Sequence, residues 1–214
     1  MSIFNENGFE KGKWTGELAK ILKRKSIIPD LYPKARIWRA TWSQWIQFED
    51  STLPGPIFWI GKPALLSSKD SLYIGYYVER GFPEEEERDP LYTIGPKWHW
   101  NGFLTCLNEN KLRNQLSLLL NNLNEKRRCI WIDADNSSKQ ISYKNDKSLL
   151  EAKKYIYSLP SKLRIDLILG VYYSKEECLN LQDKIVSEIV TPLIRAYEIK
   201  TLVEQALGRG STHR

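Results

Sequence analysis

Two carboxylate groupings stand out as possible chemistry in this sequence. Asp133-Ala134-Asp135 follows the apolar run Cys129 to Ile132, and a strand end is where a metal-binding pair could support phosphoryl transfer. Asn136, Ser137 and Ser138 come next, which is equally the composition of a polar turn. Glu198-Ile199-Lys200 fits the Glu-x-Lys half of a metal-dependent nuclease core, yet it lies in a helical apolar pattern where that chemistry expects a strand. His99 sits between Trp98 and Trp100, more a structural residue than a base, and His213 is the only other histidine. No phosphate-binding glycine loop, dinucleotide fingerprint or Gly-x-Ser-x-Gly elbow occurs. Cys106, Cys129 and Cys178 are odd in number, far apart and without a Cys-x-x-Cys, so they read as reduced core thiols. No metal, cofactor or catalytic residue is expected, and binding is a better expectation than catalysis.

The parts of a binding site are present. Net charge is +6, and the acid run Glu84 to Asp89 alone contributes −4, leaving +10 on the rest. Between positions 20 and 39, seven bases (Lys20, Lys23, Arg24, Lys25, Lys34, Arg36 and Arg39) face one acid, Asp30. Some of that cluster suits the negative end of a helix dipole, but seven to one exceeds what capping requires. Eight tryptophans and eleven tyrosines accompany this charge. Basic side chains interleaved with aromatics hold phosphates and stack on bases.

The stretch Arg36 to Phe48 is the most informative. Taken as one strand of period two, it carries Trp38, Ala40, Trp42, Gln44, Ile46 and Phe48 on a core face. The other face is polar except for Ile37 and Trp45, with Arg39, Ser43 and Gln47 beside that tryptophan. Trp45 is then either packed under a loop or part of a stacking surface.

The positioning elements follow from periodicity. Leu18, Ile21 and Leu22 predict a first helix capped by Thr15. Strands are expected at Ile57 to Ile60 and at Leu72 to Glu79, the latter apolar on both faces and therefore central in its sheet. Gly81 to Pro96 predicts a long surface loop, and Lys97 to Trp100 an edge strand. Asn108 opens a leucine-striped helix, Cys129 to Ile132 a strand, Asp133 to Ser138 a turn, Leu149 to Leu159 a helix and Leu163 to Tyr173 a strand. A last helical region from about Glu176, bent at Pro192, ends at Gly208. The expectation is an α+β fold: a twisted, mostly antiparallel sheet with packed helices and a C-terminal helical region. One domain spans 1–207, strand-rich before the loop and helix-rich after it, with a flexible tail at 208–214. No apolar run nears the ~20 residues that span a bilayer, and Met1 to Glu6 lacks a signal-peptide pattern, so a cytoplasmic protein is expected.

Trp45-Ile46-Gln47-Phe48, the apolar strand Leu72 to Val78 and the closing Leu193-Ile194-Arg195-Ala196-Tyr197-Glu198 together resemble the N-terminal DNA-binding domain of McrB-type modification-dependent restriction proteins. The resemblance covers roughly residues 35 to 80 and the last helix. It implies an α+β module that binds double-stranded DNA, with a modified base flipped from the stack and held between aromatics. Trp45 carries over, and Phe58 or Trp59 lies where a second pocket aromatic is expected. Lys34, Arg36 and Arg39 would contact phosphates, and Ser43 and Gln47 flank Trp45 as further DNA-binding residues. A nucleotide-driven motor or a nuclease subunit would be the partner. The alternatives are a nuclease using Asp133, Asp135 or Glu198 with Lys200, and an interaction scaffold whose aromatics form a protein interface.

Overall fold

A computed structural model describes residues 13–24, 34–39, 44–49, 56–62, 71–81, 96–134, 137–181 and 184–208. Within them the chain builds an α+β fold on one seven-stranded antiparallel sheet. In chain order the strands are β1 (Lys34–Arg39), β2 (Gln44–Glu49), β3 (Pro56–Lys62), β4 (Ser71–Arg80), β5 (Arg128–Ala134), β6 (Ser137–Ser142) and β7 (Ile165–Ser174). Their order across the sheet is β1-β2-β3-β4-β7-β5-β6. The first four run as a meander, and β7 inserts between that meander and the β5–β6 hairpin. The helices are α1 (Lys13–Arg24), α2 (Pro96–Asn108), α3 (Asn110–Asn121), α4 (Asp146–Ser158), α5 (Lys175–Leu181) and α6 (Ile185–Ala206).

Period two decides which side of the sheet is covered. On β4, Leu72, Ile74, Tyr76 and Val78 share one face, and on β7 so do Ile165, Leu167, Leu169 and Val171. Every helix among the described residues adds buried side chains to this main core, including Trp14, Phe103, Leu116, Leu149, Cys178 and Ile189. The opposite face has its own smaller cluster, made of strand residues only.

Local chemistry explains the boundaries. Trp14, Leu18 and Leu22 recur every four residues, so α1 buries one stripe against β1 and β2. Thr15 is fully buried inside α1 and does not cap it. Pro96 suits the first position of α2, where its missing N–H breaks no helical bond. Arg113 then fastens the α2–α3 corner by donating to the Leu107 carbonyl at 3.0 Å, to Asn110 at 2.6 Å and to Asp146 at 2.9 Å. Asn145 caps α4 by accepting from the Lys147 N–H at 3.0 Å. Gly208, at φ 72°, occupies the left-handed position after α6, and its N–H donates to the Gln205 carbonyl at 3.0 Å.

Several expectations are corrected. Lys97 to Trp100 belong to α2, because Trp100, Phe103 and Leu107 bury one helical stripe. Asn108 closes α2, and α3 starts at Asn110. Asp133 and Ala134 still belong to β5 and Ser137 and Ser138 to β6, so only 135–136 separate the two strands. Three of the seven strands follow position 96, which removes the expected division into strand-rich and helix-rich halves. The 36–48 stretch is two paired strands with Arg39 opposite Gln44. The loop expected from Gly81 to Pro96, acid run included, lies outside the described residues except at its two ends, as does the tail beyond Gly208.

Gly75 and Gly170 face each other at the middle of the β4–β7 pair. A Cβ on Gly75 would sit 2.2 Å from the Leu169 carbonyl oxygen, and one on Gly170 2.0 Å from that of Ile74. Both obstacles are backbone, so no rotamer relieves them. Gly170→Ala should therefore lower the unfolding free energy by about 1–3 kcal/mol in urea titration. An unchanged midpoint would show that the strands separate without cost.

Candidate nucleic-acid interface

The strand-only face of the sheet is built around that glycine pair. Gly75 and Gly170 form a floor without side chains, and Trp59, Tyr73, Tyr77, Trp131 and Tyr172 surround it. Trp59 and Tyr77 stack at 6.4 Å between ring centroids with 23° between planes. Tyr73 lies 5.3 Å from Trp131 and 6.3 Å from Tyr172. Tyr73 pairs in register with Tyr172, whereas Trp131 pairs with Ile168, four residues away along β7. Their rings meet because the glycine positions between them are bare. Tyr73 extends far enough to donate its hydroxyl to Gln140 Oε1 on β6, at 2.5 Å.

Polar groups border these rings at one end of the sheet. Glu79, Asp166 and Asp133 occupy successive register positions on β4, β7 and β5. The Tyr77 hydroxyl lies 2.7 Å from Asp166 Oδ1 and 2.8 Å from Glu79 Oε2, so its single proton alternates between two acceptors. Arg164 lies 3.4 Å from each carboxylate and compensates their charge. Burial first, then the charges of Asp166 and Glu79, hold the Tyr77 phenol well above its ordinary range. Tyr77 is thus a neutral donor at physiological pH and neither a base nor a nucleophile.

The sequence-derived site residues fall on several parts of this scaffold. Trp45 lies opposite Trp38 on one side and Gly61 on the other, and Gly61 lies opposite Tyr73. The hairpin therefore puts positions 38 and 45 in register, where a single strand would have put them on opposite faces. Lys34, Arg36 and Arg39 pair in register with Glu49, Gln47 and Gln44. The side chains of Lys34, Arg36, Arg39, Trp45 and Gln47 lie outside what the structure describes, as do Ser43 and Asp135 altogether. Phe58 and Trp59 separate cleanly: Phe58 is fully buried in the helix-side core, and Trp59 belongs to the aromatic face.

Of the residues weighed for nuclease chemistry, Glu198 and Lys200 are engaged along one helix. Glu198 pairs with Arg195 and Lys200 with Glu204 at 2.9 Å, all along α6. Among the described residues, no group of three His, Cys, Asp or Glu side chains is arranged to hold a metal. His99 is buried on α2 with Nδ1 3.2 Å from the Tyr76 hydroxyl. All three cysteines are buried free thiols, and burial pushes Cys106 up to about 12. A polar cleft of about 320 Å³ opens on the helix side, lined in part by Asn122, Asn124, Ser187 and Thr191. Its phenol, Tyr173, is held by Glu188 at 2.8 Å with the Arg127 guanidinium 4.4 Å above the ring.

Tyr73, Tyr77, Trp131, Gln140 and Tyr172 were not singled out as site residues from sequence. A readable signal exists in the phase opposite the aliphatics: Tyr73-x-Gly75-x-Tyr77 on β4 and Ile168-x-Gly170-x-Tyr172 on β7. No family model and no curated protein matches this sequence. Among the described residues, no helix is long and apolar enough to cross a membrane.

The Tyr77 arrangement makes stability depend on alkaline pH. Its folded pKa is raised above the ordinary value of 10.0, so its contribution is complete below that pH. Above it the unfolded chain loses the proton first, and stability falls as pH rises further. Urea titrations should show the decline beginning near pH 10.0, and a shallower decline in Tyr77→Phe. Identical slopes for the two proteins would contradict the bonding described.

Proposed function

We propose that this protein is an intracellular DNA-binding specificity module of a restriction or defence system, reading a flipped and modified base with the aromatic face of its sheet. The observation that carries the reading is the second cluster, a set of aromatic side chains on strands alone around a two-glycine floor. Stacked rings bind bases irrespective of sequence because every base has a π-face. Flipping costs a few kcal/mol, which aromatic stacking and bonds to the base edge offset. The basic stretch from Lys20 to Arg39 supplies charge for phosphates, and its last three members lie on β1, two strands from the aromatic Trp59. Free buried thiols accord with a reducing compartment. A motor or nuclease that acts on the marked DNA completes the reading.

Fluorescence anisotropy with unmodified and methylated duplexes across a salt series tests it. Affinity should fall steeply with salt and favour one duplex. Replacing Lys34, Arg36 and Arg39 by alanine should flatten the logarithmic salt slope by about 2.7, at roughly 0.9 per phosphate neutralised. Trp45→Ala should abolish the preference between duplexes while circular dichroism stays native. Absence of binding to every duplex at low salt, or an unfolded Trp45→Ala protein, would count against the reading.

A further inference from the structure

The polar cleft on the helix side is lined by groups whose hydrogens are largely spent on the protein itself. It holds about 320 Å³, at the low end of the roughly 300–1,000 Å³ usual for small-molecule sites. Tyr173 gives its hydroxyl hydrogen to Glu188 Oε2 at 2.8 Å, and Ser187 gives its own to the Lys184 carbonyl at 2.7 Å. Asn122 fixes its amide nitrogen on the Leu118 carbonyl at 3.0 Å, which leaves Oδ1 for other use. Ser187 and Asn122 therefore offer a ligand chiefly oxygen lone pairs. Thr191 can donate or accept. Asn124, whose Oδ1 accepts from the Lys126 N–H at 3.1 Å, is the one side chain turned to donate.

The charge on the cleft is negative. Among its described lining residues Glu188 alone is charged, and its Oε1 carries no bond. Pro192, inside α6, has no N–H to give the Glu188 carbonyl four residues back, so that helical bond is not made. Asn122 is the C-cap of α3, which brings the negative end of that helix dipole to the same lining. The Arg127 guanidinium over the Tyr173 ring is met by Glu177 at 2.7 Å, a residue outside the lining.

We infer that this cleft binds the primary ammonium group of a small aliphatic amine. Such a group brings one positive charge and three N–H donors with no acceptor, the complement of the Glu188 carboxylate and the oxygens of Asn122, Ser187 and Thr191. A neutral polyol brings as many acceptors as donors and no charge. A quaternary ammonium brings charge without N–H, and an anion meets Glu188. The site is separate from the aromatic face and does not depend on that face binding DNA.

The test is a ¹⁵N-amide spectrum of the whole protein titrated at constant ionic strength with 1,4-diaminobutane, 1,4-butanediol or tetramethylammonium. The diamine should shift the amides of Asn124, Glu188 and Thr191 saturably, and the other two compounds should not. Glu188→Gln keeps the side-chain shape and an acceptor for Tyr173, and should weaken diamine binding by about tenfold, as loss of one charge-assisted bond implies. Thr191→Val, at an exposed position, should weaken it less. Glu151→Gln, which removes a carboxylate from α4, should leave it unchanged. The assignment is overturned by the absence of saturable shifts, by butanediol or tetramethylammonium binding as well as the diamine, or by undiminished binding to a folded Glu188→Gln protein. Equal weakening by Glu151→Gln would reduce the effect to general attraction between charges and overturn it too.

Discussion

The close approach of β4 and β7 at Gly75 and Gly170 is the constraint on which the molecule depends. These ten-residue strands pair from Ser71 with Ser174 to Arg80 with Ile165, and join the β1–β4 meander to the β5–β6 hairpin. The pair has consequences on both faces. On one, alternate aliphatic residues form the floor of the core that all six described helices cover. On the other, the missing Cβ atoms leave space in which Tyr73 crosses to Trp131 and Gln140. The core and the aromatic face are therefore products of the same two strands read in opposite phases.

The two faces differ in the chemistry they collect. The helix-side core collects the aliphatic residues and several large aromatics, such as Trp14 and Phe103, whose burial needs no ligand. The strand-only face combines rings with groups that have directional needs: a phenol between two carboxylates, an amide oriented by a tyrosine and an indole without an acceptor. Burial excludes the water that would otherwise satisfy that indole.

Much of the fold was legible because it rests on local period. Residues 72–79 are apolar in both phases, and β4 lies fourth of seven across the sheet, as that pattern demands. The leucine stripe of α3 and the glycine stop after α6 were equally local signals. The 36–48 stretch misled for a definite reason. Arg39 pairs with Gln44, so odd positions on β1 face even positions on β2, and a phase carried from one strand to the next reverses. The Ser137–Ser142 strand escaped because its only buried residue is Ile141. The aromatic face depends on positions 59, 73, 131, 140 and 172 converging through strand order, which no window along the chain contains. Trp59 was reachable from the resemblance, whereas Gln140 acquires meaning only once β6 lies beside β5.

The most direct measurement is a ¹⁵N-labelled tryptophan spectrum recorded while duplex DNA is added. The indole N–H signals divide by location, with Trp59 and Trp131 on the aromatic face and Trp14 and Trp100 in the helix-side core. Assignment follows from the signal each Trp→Phe variant lacks. Base binding on this face should move the Trp131 resonance most, shift Trp59 as well and leave Trp14 and Trp100 in place. DNA binding that leaves Trp131 and Trp59 unmoved would place the interface elsewhere and contradict the account.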